Sequence, residues 1–379
     1  MEAWSEDGGA IDISEYRAMQ QPIDPEQNAA RLYRRAFAVL QEFTLKQGEL
    51  ILQGTDDDFM RSMLADHAAT MADIRRAARR PACDWEIEYP SGLVTVLSYA
   101  SPGRLAAELL RAEARFSALD GDRMAAVESL EDGLLLARHL SRDRSWWCAM
   151  VDAMITIELL QDVESLFTRD AMPPSQIALL LEDREWREDV RQASLFEGMN
   201  GLSHIWLDAA AWQSLEDRLK EQGQWLDASQ QTVRDLTLNT TRPKRGELFD
   251  WRMEQQIVAF LNVVQQRAEW CGQPYHEVAE NPPDPPLLID TLAWSLAPDP
   301  ERAVSFSNCA ASMSALACLA FELRGYKSEH GEYPDPATYK TPIDPYDGRP
   351  IRYERMGDGF VLRSDAEVDG TNANWRWER

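Results

Sequence analysis

Apolar residues recur at intervals of three and four along most of the chain, the spacing that places them on one face of an α-helix. Near the start, Leu32, Ala36, Val39 and Phe43 follow this rule. They come after Asp24-Pro25, which we interpret as the N-cap and first position of the first helix. The pattern therefore predicts a mainly helical body that begins close to residue 24.

The same spacing predicts an antiparallel helical hairpin between Leu105 and Leu140, with a turn at Gly121-Asp122. This hairpin resembles one tetratricopeptide unit in its small apolar residues and its turn, but no second copy follows at a spacing of about 34 residues. Residues 56–58 are all aspartates and predict a helix N-terminus in preference to a metal site. Residues 84–99 predict a loop with a short extended piece. Further helices are predicted at Trp146–Phe167, Gln176–Glu197, Leu207–Gly223, Leu226–Leu238 and Phe249–Trp270.

The clearest boundary in the chain is Asn281–Pro286, which contains four prolines in six residues. Proline cannot continue a helix and favours an extended spacer. We therefore divide the chain into an irregular leader (1–23), a helical domain (24–280), a proline-rich linker and connecting segment (281–298) and a C-terminal unit (299–379).

The C-terminal unit opens with Asp299-Pro300, a second helix start, and the helix it begins is predicted to end at Gly331. Residues 303–321 carry no charge, so a membrane span must be weighed. Several serines lie within this stretch, which disfavours a span. We therefore predict a helix buried in protein and no membrane span in this chain.

Beyond this helix the apolar period changes from 3.6 to 2, which indicates β-strands. Ile351 and Tyr353 alternate with charged residues, and Phe360 and Leu362 recur at the same spacing of two after residues 356–359. An Asp-Gly between two alternating runs favours a β-hairpin. The predicted fold is mainly α, a multi-helix bundle or array of helical hairpins, with a small C-terminal α+β tail made of a long helix and a short antiparallel sheet.

The tail resembles the soluble domain of the major pseudopilins of type II secretion systems. The motifs that carry the resemblance are Tyr326 to Tyr333-Pro334 with Gly331 between them, then Asp344-Pro345-Tyr346-Asp347-Gly348, then Gly359-Phe360 and Ser364 through Asp369-Gly370. They cover about a fifth of the chain. A pseudopilin has an apolar N-terminal helix where this chain has nearly three hundred mostly helical residues, so the chain is not expected to be a pilin subunit. The remainder is similar to large helical bacterial proteins of unassigned function.

The resemblance also implies a calcium site, because pseudopilins bind Ca²⁺ in the loop after the last strand. The matching positions here are Ser364, Asp365 and Asp369, with Glu367 nearby. Closely spaced carboxylates and a turning backbone supply the oxygen ligands that Ca²⁺ needs. The loop is longer than the family's by about one residue, and the alternative is an acidic solvated turn.

Charge narrows the range of partners. The formal net charge of −25 disfavours binding to nucleic acid and to anionic lipid surfaces and leaves a protein partner or bound Ca²⁺ as candidates.

The five cysteines have no CxxC spacing, so free thiols are expected in place of a disulfide framework or zinc site. No signal peptide begins the sequence. A cytoplasmic location is expected for the sequence as given, and an extracytoplasmic, membrane-anchored one if an upstream segment has been removed.

Two catalytic motifs are present in this sequence only in part. Gly201-Leu202-Ser203-His204 starts like a nucleophile elbow without its closing glycine, and His276-Glu277 starts like a zinc-protease helix without the second histidine. The leading hypothesis is therefore a helical interaction or scaffold protein with an appended pseudopilin-like module. The alternatives are an enzyme whose site is assembled from distant helices, and a calcium-stabilised component of a secretion or envelope assembly.

Overall fold

The structure, a computed structural model, confirms a mainly helical protein with a small C-terminal antiparallel sheet. It describes residues 23–43, 45–53, 56–85, 99–143, 145–167, 175–182, 184–205, 262–278, 301–368 and 371–377. The N-terminal helices are α1 (Ala30–Gln41), α2 (Leu45–Gln53), α3 (Asp57–Asp66) and α4 (Ala68–Ala78). The helices predicted at Leu207–Gly223 and Leu226–Leu238 and the linker at 281–298 lie outside the described residues, as does nearly all of the predicted loop at 84–99.

The first helix starts later than the sequence predicts. Asp24 forms a turn in which its side chain accepts a hydrogen bond from the Glu26 N–H (2.9 Å). Asn28 then fixes the chain, because its side-chain oxygen accepts from the N–H groups of Ala30 (3.0 Å) and Asp84 (2.9 Å). This bond to a distant segment determines where α1 begins. The start predicted at the aspartates 56–58 is confirmed, since the Asp56 side chain accepts from the Phe59 N–H (2.9 Å).

The predicted hairpin is present as α5 (Ala100–Leu119) and α6 (Arg123–Leu140). Gly121 takes the left-handed conformation (φ 85°) that the turn requires, and Asp122 caps α6 by accepting from the Ala125 N–H (3.1 Å). A 3₁₀ turn (Ser141–Asp143) leads to α7 (Trp146–Phe167), which packs against both helices of the hairpin. These three helices form the centre of the N-terminal half.

The predicted helix Gln176–Glu197 is wrong in one respect, because the structure contains two helices there, α8 (Ser175–Glu182) and α9 (Trp186–Ile205). Between them, Arg184 turns inward to pair with the buried Asp152 of α7. A buried charge without a partner is costly, so this pairing outweighs helix continuity. Residues 262–272 are helical and are followed by the single turn α10 (Tyr275–Val278).

The long helix α11 (Glu301–His330) ends at Gly331 (φ 84°), as predicted. Two of the motifs described in the sequence fix the chain that follows it. Tyr333 packs edge-on against Phe360, with ring centroids 5.1 Å apart. The buried Asp344 accepts hydrogen bonds from the Ser312 hydroxyl of α11 (2.5 Å) and the Tyr346 N–H (2.9 Å). These contacts attach the segment that follows α11 to Phe360 of the C-terminal sheet and to α11 itself.

The sheet is a meander of β1 (Arg352–Met356), β2 (Gly359–Val368) and β3 (Thr371–Trp377). Met356 pairs with Gly359, which leaves a two-residue loop, and the first loop residue, Gly357, has φ 56°. The predicted hairpin is therefore confirmed. The inward-facing side chains of the sheet, Phe360 and Leu362 of β2 and Trp375 of β3, are fully buried.

Helix α11 connects the two halves of the chain. It packs on α7, α8 and α9 of the body and on β2 and β3 of the sheet. One continuous cluster of buried side chains runs from Tyr33 through α7 and Leu316 to Phe360. Although α11 is the one described helix long and apolar enough to cross a membrane, 67% of its apolar window is buried inside the protein. This burial is what the sequence prediction of a protein-packed helix requires.

Candidate functional site

A cleft of about 700 Å³ opens where the break between α8 and α9 faces α11. Its floor is formed by small residues of α11, including Ala311 and Ala315, and one wall carries Leu181 and Trp186. Pro345, from the loop held by Asp344, and Gly272 close the other side. The volume suits a small ligand or a few residues of a peptide, and the apolar floor with polar walls is typical of binding sites.

The wall of the cleft is built on a buried ion pair. Arg184 pairs with Asp152, and the two side chains are only 6% and 1% exposed. Asp152 also accepts from the Thr156 hydroxyl (3.4 Å). The Arg184 guanidinium lies over the Trp186 ring at 4.0 Å, a cation–π contact that holds the indole at the first residue of α9.

Two more arginines of the first turns of α9 line the cleft and differ in their partners. Arg191 is held by Glu188 through two hydrogen bonds of 2.7 Å. Arg187 donates one long bond (3.4 Å) to the Pro345 carbonyl and has no carboxylate within ion-pair distance among the described residues. In the same turn of α9, burial raises the pKa of Asp189. The Arg184 charge opposes this shift, and the Asp152 charge adds to it. The cleft therefore combines ion pairs already formed with one arginine that is not neutralised.

The nucleophile-type side chains in the cleft are not activated. Burial, together with the charge of Glu182, raises the pKa of the Cys318 thiol to about 12, so the thiol is protonated at neutral pH. The Ser314 hydroxyl donates to the Ala310 carbonyl of its own helix (2.7 Å). No histidine is among the described residues that line the cleft. This chemistry fits binding better than nucleophilic catalysis.

A second polar cluster joins α5 to α7. Arg111 donates to Glu108 (3.0 and 3.1 Å), to Glu158 (3.2 Å) and to Asp162 (2.5 Å). Burial raises the pKa of Glu108 to about 7, the Arg111 charge opposes the shift, and the neighbouring Glu158 adds to it. When Glu108 is protonated it can donate to Glu158, and we call Arg111 with Glu108, Glu158 and Asp162 the interhelical clamp.

The clamp makes stability depend on pH. A glutamate in an unfolded chain has a pKa near 4.5, whereas that of folded Glu108 is about 7. Between these values the folded state binds more protons, so its free energy of unfolding falls as pH rises through the window. Burial lowers the pKa of His139 to about 4, which acts in the opposite direction. Denaturant unfolding across this range should therefore show the parent losing stability relative to Glu108→Gln as pH rises; parallel profiles would contradict the assignment.

An aromatic cluster fills the space between α1, α5 and α6. Trp85 stacks on Tyr99 with centroids 4.2 Å apart and also contacts Tyr33 and Phe37. The Tyr33 hydroxyl meets His139 Nδ1 at 3.2 Å, and both side chains are buried. Since these polar atoms bond to one another inside the core, the cluster is a packing feature.

The structure describes only some of the residues predicted to bind calcium. Ser364 is buried on β2, and its hydroxyl accepts from the Ala366 N–H (2.9 Å). The neighbouring Asp365 pairs with Arg352 of β1. Asp369 lies outside the described residues. The calcium loop therefore stays a prediction, and among the described residues no group of three or more His, Cys, Asp or Glu is arranged to hold a metal.

The incomplete catalytic motifs fall in helices. Residues 201–205 form the last turns of α9, with no strand before them, so a nucleophile elbow is not formed. His276 lies on α10 with its Nε2 3.7 Å from Glu277. His67 packs on Phe43, His139 on Tyr33 and His330 on Tyr326. Each of these four histidines therefore has separate surroundings.

Sequence reasoning missed the cleft because it depends on the break between α8 and α9. Arg184, Trp186 and Arg187 are ordinary members of a helix-like sequence. A signal was nevertheless present in residues 182–189, where acidic and basic residues alternate around one tryptophan. Such a stretch is more typical of a solvated surface, and only the fold places it against α11.

Comparison of the chain with protein-family models, with curated proteins and with solved structures finds no match. The likeness of the tail to pseudopilins therefore remains a resemblance of motifs.

Proposed function

We propose that this protein is a helical interaction or scaffold protein that binds a partner segment in the cleft between α8–α9 and α11. The observation that carries the proposal is the lining itself, an open apolar floor bordered by Trp186, Leu181 and paired charges. Tryptophan and arginine are the residues most often found at the energetic centre of protein interfaces. A protein partner also agrees with a net charge of −25, which disfavours polyanions.

The cleft supports the binding proposal over an enzyme. An enzyme needs a nucleophile or base that is free to react, within hydrogen-bond reach of a helper group. Here the Cys318 thiol stays protonated and Ser314 is bonded to its own helix. Arg184 and Arg191 are already committed to carboxylates.

The pseudopilin-like character of the tail is part of the same proposal. A long helix, a Tyr-Pro turn, an Asp-Pro loop and an antiparallel meander follow one another in the order that the resemblance implies. We place this module in a structural role, because α11 supplies the cleft floor on one side and packs on the sheet on the other.

The test is a selection of random peptides displayed on phage, followed by binding measurements on two matched variants. Ala315→Trp fills the floor of the cleft, and Ala72→Trp places the same side chain on an exposed position of α4. Selected peptides should bind the parent and Ala72→Trp alike and Ala315→Trp at least about tenfold more weakly. Peptides that bind all three proteins equally would contradict the proposal, provided that circular dichroism shows each variant folded.

A further inference from the structure

One end of the cleft lies at the first turn of α9, where the acidic Glu188 and Asp189 accompany Arg187. Helix α9 is twenty residues long, and its first internal backbone bond runs from the Asp189 N–H to the Glu185 carbonyl (2.9 Å). The N-terminus of such a helix carries a partial positive charge and favours anions. A helix start alone does not identify a binding site, since many helices begin at a surface. Three side chains of the cleft wall, Arg187, Arg184 and Trp186, add hydrogen-bond donors.

Arg187 is the first of these. It is partly buried in the cleft wall, and its one hydrogen bond to a described residue is the long bond to the Pro345 carbonyl (3.4 Å). The other two arginines in the same wall, Arg184 and Arg191, each face a carboxylate. Because an arginine is charged at every physiological pH, Arg187 presents a cation whose counter-ion is not supplied by the described residues.

The other two donors are buried nitrogens. Among the described residues, Arg184 Nε and Trp186 Nε1 have no hydrogen-bond partner, although both side chains line the cleft and are more than nine-tenths buried. Buried donors are nearly always paired in folded proteins. The Arg184 guanidinium lies 4.0 Å over the Trp186 ring, so the two groups are neighbours in the cleft wall.

We propose that the cleft binds a carboxylate at the first turn of α9, on a ligand whose apolar part lies on the α11 floor. The proposal rests on the binding function proposed above and names the chemistry of its ligand. Arg187 pairs with the carboxylate, and the planar guanidinium suits such a group. Arg184 Nε and Trp186 Nε1 donate to its oxygens, while Ala311, Ala315 and Leu181 contact the apolar body.

Three glutamates line the cleft: Glu188 is paired with Arg191, and the other two work against this arrangement and also provide a test of it. Glu182 and Glu185 line the rim of the cleft, but both are exposed, whereas Arg187 is partly buried. Water and salt screen exposed charges more strongly than partly buried ones. The balance therefore favours an anion near Arg187, and neutralising a rim glutamate should tighten binding.

The experiment is a calorimetric titration of the full chain with 4-phenylbutyrate and with 4-phenylbutyramide, which has the same apolar body without the charge. The acid should bind the parent and bind Arg187→Gln at least about tenfold more weakly, the effect of losing a charge-assisted hydrogen bond. Arg363→Gln removes an exposed arginine of β2 and should bind as the parent does. Glu185→Gln should bind the acid more tightly, a gain that misfolding cannot produce.

Peptides identify the source of the carboxylate. N-acetyl-Ala-Ala-Leu with a free C-terminus is compared with its amide, and an amidated peptide with an internal aspartate is compared with its asparagine form. Preference for the free terminus identifies a chain end as the ligand, and preference for aspartate identifies an acidic side chain; either supports the inference.

Equal binding of acid and amide, no binding of either, or unchanged affinity in Arg187→Gln would overturn the inference. If the peptides selected on phage still required the open cleft, the binding function would stand and only the carboxylate assignment would fail.

Discussion

Replacing Phe360 with aspartate is expected to lower the free energy of unfolding by at least about 3–5 kcal/mol, the range for removing a buried aromatic side chain, because the new charge also loses its hydration. Phe360 is fully buried on β2 and contacts the rings of Tyr333 and Tyr353. It belongs to the same buried cluster as Leu316 of α11 and the aromatic residues of α1. The measurement is denaturant unfolding followed both by far-ultraviolet circular dichroism and by tryptophan fluorescence.

The matched control is Met356→Asp at the end of β1, a side chain that is 43% exposed. This substitution should change stability by less than about 0.5 kcal/mol, as surface substitutions usually do. Because one core spans sheet and body, both optical signals of Phe360→Asp should shift together. A separate early transition, with the main helical transition unchanged from the parent, would show that the tail is an independent unit and would contradict the continuous core.

Removing the buried carboxylate in Asp152→Ala is expected to cost about 3–5 kcal/mol of stability, because it leaves the Arg184 charge buried without its partner. Desolvation, not the strength of the ion pair, accounts for this loss. Asp152 is 1% exposed and Arg184 6%, so water cannot replace the missing carboxylate. Thermal and denaturant unfolding measure the effect, and the double variant Asp152→Leu with Arg184→Met should recover most of the loss.

An exposed ion pair of the same type is the control. Arg352 and Asp365 pair across β1 and β2 with 57% and 40% of their side chains exposed. Asp365→Ala should therefore cost no more than about 1 kcal/mol. Asp189 can reduce the difference, since it lies near Arg184 and ionises more readily beside an unpaired arginine. Combining Asp152→Ala with Asp189→Asn removes this compensation; a loss no larger than that of Asp365→Ala would contradict the buried-charge account.

Elements that depend on local chemistry could be predicted from the sequence. The α5–α6 turn needs a residue with positive φ followed by a capping side chain, and Gly121-Asp122 supplies both. The end of α11 at Gly331 and the hairpin between β1 and β2 follow from the same kind of short-range rule. The apolar period of 2 also identified the inward positions Phe360 and Leu362 correctly.

Where long-range contacts decide, local sequence patterns predict wrongly or not at all. The pattern predicts too early a start for α1, because Asn28 is fixed by a bond to Asp84, 56 residues away. The break between α8 and α9 follows from Asp152, which draws Arg184 inward, although residues 182–189 have no proline or glycine that would end a helix. The free arginine and the unpaired nitrogens of the cleft could not be predicted for the same reason.

Local patterns are enough to predict the fold class, the α5–α6 and β1–β2 turns and the strand alternation, because each depends on residues a few positions apart. The packing of α11 on both the helical body and the sheet, and the position of the start of α9 against the small residues of α11, follow only from the folded chain. The partner of a buried charge or apolar face depends on the free energy of the whole packed core, and a short stretch of sequence does not contain that information.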